Sequence, residues 1–137
     1  MRLRRAFFSL YLFVISVSAA AAPPQLYRQP AYESPVNGAP DDLLLLAGYG
    51  FADGDTVAYR SVGDTTKLPA APDAIPSESN GDLGSAPVVS HEGVPYSLTI
   101  RLPQIMRADQ SYAIWVRNVH GEWSSPVMIN EDRKSVV

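Results

Sequence analysis

Cysteine is absent from these 137 residues, so no disulfide can brace the fold. An exported chain of this kind must be held by its hydrophobic core alone, which excludes the small disulfide-braced scaffolds. Histidine is nearly absent as well. His91 and His120 are the only two, both fall in expected loops, and no cysteine can complete a metal set with them, so no zinc site and no metal site is expected. There is no basic patch: eleven lysines and arginines stand against fourteen acidic residues, which argues against nucleic acid and against an anionic membrane surface as partners. No Gly-x-Ser-x-Gly elbow is present, and nothing places a histidine and an acid around any serine. Paired carboxylates for glycoside cleavage stay open by residue count, yet no acid sits in a setting that would raise its pKa. Internal repeats and amphipathic helices are missing too.

What is present begins with a leader. Arg2, Arg4 and Arg5 form a basic start, Ala6 to Val17 is an uncharged apolar run, and Ser18 to Ala22 is a zone of small residues, the pattern of a secretory signal peptide. Pro23 bars cleavage directly before it, so the leader is assigned to residues 1–21 with the cut expected after Ala20 or Ala21, the mature chain starting at Ala21 or Ala22. The alternative is an uncleaved anchor, but a run of about 12 apolar residues falls short of the ~20 needed to span a bilayer. The expected location is therefore secreted, periplasmic or extracellular, with no stable membrane insertion after cleavage. Loss of the leader leaves eight basic residues against fourteen acidic ones, a balance of −6.

The rest of the chain reads as strands. Proline-rich 22–30 is an extended lead-in, Ala31 to Pro35 a first short strand, and Asn37-Gly38 a turn. Leu43 to Ala47 is a continuous apolar run of strand length, bounded by Asp41-Asp42 and Gly48. Gly48 and Gly50 supply positions free to take positive φ. Thr56 to Ser61 follows, with Val57 and Tyr59 on one face. Ser97 to Leu102 alternates, setting Leu98, Ile100 and Leu102 toward a core with Ile100 at its centre and Ser97, Thr99 and Arg101 away from it. Between these lies 62–87, with Pro69, Pro72, Pro76 and a Ser/Asn/Gly cluster. It is too long for a hairpin and is expected as a surface loop between two sheets, either functional or disordered. These segments predict one all-β domain over 31–131, an immunoglobulin-like antiparallel β-sandwich of about seven strands. The last six residues, 132–137, are what one reading frame of a common short-read sequencing adapter encodes. They are expected to be a non-native tail, the chain then being the amino-terminal piece of a longer protein.

Ser34-Pro35 and the run LLLLAGYGFADGDTVAY from Leu43 resemble the start of an IPT/TIG-type, early-set immunoglobulin-like domain: a proline, an apolar strand, Gly-x-Gly-Phe, and a strand ending in an aromatic. Leu98 to Pro103, then Ser111 to Asn118 and Gly121, are similar to its last three strands. The resemblance spans 31–130, interrupted by the proline-rich insertion. It implies a structural module of the kind that precedes catalytic domains in large secreted bacterial proteins acting on polysaccharides, often β-helix lyases or hydrolases.

Candidate sites are few. Gly48-Tyr49-Gly50 has no following helix to make it a phosphate loop and reads as a tight turn. Asp53-Gly54-Asp55, with Asp41 and Asp42 nearby, has the beginning of a calcium loop without its remaining ligands, and reads as a turn. Tyr112, just inside the penultimate strand, is placed for a tyrosine corner. Of the four leucines at 43–46, two must face outward, under the proline-rich loop or against a further domain. The face of Trp115 and Arg117 turns on hairpin register. A three-residue loop after Asn118 pairs Trp123 with Arg117, whereas a four-residue loop, Val119 to Glu122, pairs it with Asn118. The longer loop sets Ser125, Val127 and Ile129 beside Val116, Ile114 and Tyr112 and is preferred for its apolar face. Trp115 and Arg117 then point outward, as a domain interface, as packing under the long loop, or as a sugar-stacking contact. The expected function is a non-catalytic accessory module without cofactors, whose partner is a C-terminal domain of the same protein and, second, a polysaccharide. The alternative is a self-contained cell-surface binding or adhesion module.

Overall fold

The computed structural model describes residues 22–27, 38–64, 72–78 and 81–130. The leader, the strand expected at 31–35, the tail 132–137, and positions 65–71 and 79–80 of the proline-rich connection lie outside the described residues. Within them the chain is all-β, with no α-helix and eight strands: β1 (Gln25–Leu26), β2 (Leu43–Tyr49), β3 (Thr56–Asp64), β4 (Gly84–Ala86), β5 (Val88–Ser90), β6 (Ser97–Arg101), β7 (Gln110–Arg117) and β8 (Val127–Ile129). All pair antiparallel, in two four-stranded sheets ordered β1-β2-β6-β5 and β4-β3-β7-β8.

The sheets share one hydrophobic core because each strand alternates. Leu46, Leu98 and Ile100 enter it from the first sheet, and Val57, Ile114, Val116 and Ile129 from the second. Leu102 and Met106 close one end. The chain crosses between sheets after β2, after β4 and after β6. The crossing from β4 to β5 is made at Pro87, which lacks the amide that would continue a ladder.

Three features depart from the sequence expectation. The lead-in is not plain: Gln25–Leu26 pairs with Tyr49 and Gly48 at the sheet edge, and Leu26 and Pro24 are buried. This strand was not expected, and burial of Leu26 explains why so short a piece holds. The connection 62–87 is not loop at its ends, since β3 runs on to Asp64 and Gly84–Ala86 pairs back onto Val57–Tyr59. Of the two glycines expected at positive φ, Gly50 takes it, at +82°, and Gly48 does not.

Gly48 is small for another reason. A Cβ there would stand 1.9 Å from the Gln25 carbonyl oxygen and 2.7 Å from Phe51 Cζ. Alanine for glycine in a strand ordinarily stabilises by cutting unfolded-chain entropy. Here Gly48→Ala is expected to destabilise by about 1–3 kcal/mol, because backbone must move, and to release β1. Urea unfolding together with hydrogen exchange at the Tyr27 amide, which bonds the Ala47 carbonyl, checks this. Wild-type stability in the variant would mean that the edge strand is not seated as described.

Candidate functional site

The two outer faces of the molecule differ. On the second sheet, Ala113, Trp115 and Arg117 of β7 point away from the core, since Tyr112, Ile114 and Val116 point into it. Trp115 is nevertheless only 1% exposed. Residues 72–78 lie over it: its Nε1–H donates to the Asp73 carbonyl at 3.1 Å, the Arg60 guanidinium donates to the Ser77 carbonyl, and Arg117 pairs with Glu78 at 2.7 Å. Asp82 holds Arg60 from beyond, at 3.2 Å. The opposing residue on β3 is Ala58, small enough to leave room for the indole. Of the three readings of Trp115, this arrangement is packing under the long connection, and it leaves only 1% of the residue exposed. Arg117 is likewise engaged within the chain, stacked 5.1 Å from the centre of the Trp123 ring.

Both hairpin registers occur, one after the other. Next to the loop, Arg117 bridges to Trp123, and the Asn118 amide donates to the Glu122 carbonyl, which makes the loop three residues long. Gly121, at φ +80°, closes it with its amide on the Asn118 carbonyl, the usual geometry of a three-residue hairpin. Further along, Tyr112 pairs with Ile129 and Ile114 with Val127, one residue out of step with the loop. The slip falls at Ser124–Pro126, where the Ser124 side chain accepts the Val116 amide at 2.9 Å. An extra residue taken up in this way restores the apolar face that the preferred register predicted.

Tyr112 Oη accepts the Arg107 amide at 2.7 Å across the bend before β7, and its ring meets Tyr59 edge-on at 5.9 Å. Burial, and then this neighbour, raise the Tyr59 hydroxyl above its ordinary pKa of 10.0. Ile100 is fully buried between Leu44 and Val88.

One ionisable group is overlooked by sequence reasoning. Asp55, at the β2–β3 turn, is 4% exposed. Its Oδ2 accepts the Ala52 amide at 3.0 Å, while Oδ1 has no hydrogen-bond partner, as is true of His91 Nε2. Desolvation raises its pKa above 3.8, against lowering by the Ala52 amide and by the charge of His91. The expectation that no acid has a raised pKa is thus corrected. The signal was faint: an Asp-Gly-Asp turn says nothing of which carboxylate points inward.

This carries a prediction. The folded chain holds the Asp55 proton more tightly than the unfolded chain, so the stability it contributes is fully present below pH 3.8. It is lost as pH rises through the raised folded value. Asp55→Asn keeps an acceptor for Ala52 and cannot ionise. It is expected to flatten this part of the stability–pH curve and to raise stability at neutral pH. Urea titrations at stepped pH check this, and an unchanged curve would place Asp55 in contact with water.

The outer face of the first sheet is open. Leu43, Leu45 and Tyr49 of β2 are 58%, 55% and 52% exposed, Tyr27 and Val89 are exposed beside them, and the Tyr96 ring lies 5.8 Å from that of Tyr49. Gly50 and Gly54, at φ +82° and +88°, shape the turn beyond β2. Among the described residues no three His, Asp or Glu side chains gather around one point.

The class defined by these observations is an all-β chain of two antiparallel sheets with one sealed and one open outer face. Comparison with protein-family models, with curated proteins and with solved structures finds no match for it.

Proposed function

We propose that the chain is a non-catalytic, immunoglobulin-like module at the amino end of a larger secreted, carbohydrate-active protein, and that it spaces or docks a C-terminal domain. The observation that carries this reading is the anchoring of the last described residue. Asn130 takes φ +55°, and its side chain both accepts the Gly38 amide at 2.9 Å and donates to the Gly38 carbonyl at 3.0 Å. Its own carbonyl accepts the Ser111 hydroxyl. A spacer must transmit orientation, and a chain leaving β8 from a position held by three hydrogen bonds does so with little slack. The Tyr112 corner and the crossings between sheets support the immunoglobulin-like assignment.

The test is to read the coding sequence past Asn130. Continuation into a catalytic domain for polysaccharides is the expected result. A run of further sandwiches would favour a cell-surface adhesion protein instead, and an in-frame natural stop directly after Asn130 would remove the spacer reading.

A further inference from the structure

We infer that the open face of the first sheet is a self-association surface, the seat of a second copy of this chain. The inference goes beyond the spacer reading and does not rest on it.

Singly exposed apolar side chains need no explanation. These form a grid. Leu43 and Leu45 take successive outward positions on β2, followed by Ala47 and Tyr49, while Leu44 and Leu46 face the core. Tyr27 stands beside Ala47, its amide on the Ala47 carbonyl at 2.9 Å. Thr99 pairs with Leu45, and Val89 lies beyond it on β5. Aromatic side chains bury about 150–250 Å² each, so the six large apolar residues, about half exposed, leave roughly 500–600 Å² of apolar surface on one face. A standard interface takes about 800 Å² from each partner, and in homodimers about 65% of it is apolar. The apolar area that a dimer requires is thus on the order of 500 Å², which this face supplies.

Chemistry narrows the occupant. Leu43 and Leu45 offer a stacked sugar no hydrogen bond, and the polar groups outward beside them, Ser97 and Thr99 with Gln25 at the edge, are few against the apolar area. The outward positions of β1, β2, β5 and β6 carry no aspartate or glutamate. Their one charge, Arg101, donates to the Asp41 carbonyl. The strands of this face therefore set no carboxylate toward a second copy, and two copies can meet there without opposing acids from them. A two-fold axis through the face closes the contact, with sheets packed ~10 Å apart and turned by about 30°.

Sedimentation equilibrium of the secreted chain, from low micromolar to several hundred micromolar, tests the proposal. The expected result is a mass that rises from one copy to two and stops. Leu45→Lys and, separately, Val89→Lys should each raise the dimer dissociation constant at least about 100-fold while melting as wild type does when dilute. A wild type that stays monomeric throughout, or that grows beyond two copies, overturns the inference, as do folded lysine variants that dimerise normally. A monomeric wild type whose tyrosine fluorescence responds to soluble oligosaccharides overturns it in favour of a glycan platform. Each of these outcomes leaves the spacer reading untouched, because that reading is tested by the coding sequence.

Discussion

Trp115→Ala is expected to destabilise the fold by about 3–5 kcal/mol, the range for removing a buried aromatic side chain. The indole is nearly inaccessible on the outside of β7, between the sheet and residues 72–78, and it is not part of the core shared by the sheets. Truncation opens a cavity under that segment and removes the bond from Nε1–H to the Asp73 carbonyl, worth about 1 kcal/mol. The two sheets should stay paired, so the loss has a specific signature. Hydrogen exchange should accelerate at 72–78 and leave Ile100 and Ile114 protected. Trp115→Phe keeps most of the packing and should lose less than half as much. Urea unfolding of the three proteins decides the matter: a loss below about 1 kcal/mol in the alanine variant would mean that the segment does not pack as described.

Ile100→Ala is expected to cost about 2–5 kcal/mol, because Ile100 is fully buried at the centre of the first sheet with Leu44 and Val88 on either side. Thr99→Ala, one residue earlier and facing outward opposite Leu45, is expected to cost about 0.5 kcal/mol or less. Here exchange should accelerate across both sheets, since the core belongs to both. Similar losses at the two positions would contradict the alternation that places them.

Much of this fold is legible in the sequence because alternation is a local property. Leu43–Ala47, Thr56–Ser61 and Ser97–Leu102 lie within β2, within β3, and along β6 and the residue after it. Leu98, Ile100 and Leu102 are all buried. Elements without a period were harder to see. Gln25–Leu26 is two residues long and held by the burial of one side chain. Gly84–Ala86 and Val88–Ser90 are three residues each, split by a proline inside a stretch of turn-forming residues. The hairpin at Asn118 carries two registers, which no single pattern can express. Asp55 looks like any turn aspartate until Ala52 is seen to fold it inward.

The same division applies to the candidate surfaces. The sequence by itself determined an all-β chain and that two leucines of the four at 43–46 turn away from the core, because the period of a strand requires this of any apolar run. The outward face of Trp115 hung on a hairpin register that the sequence left between two choices. Only the tertiary structure decided which outward face is closed. The bond from Trp115 to Asp73 joins residues 42 positions apart, and that from Arg60 to Ser77 joins residues 17 apart. Where an irregular connection comes to rest depends on such long-range partners and leaves no periodic trace. It rests on the tryptophan and leaves the leucines bare.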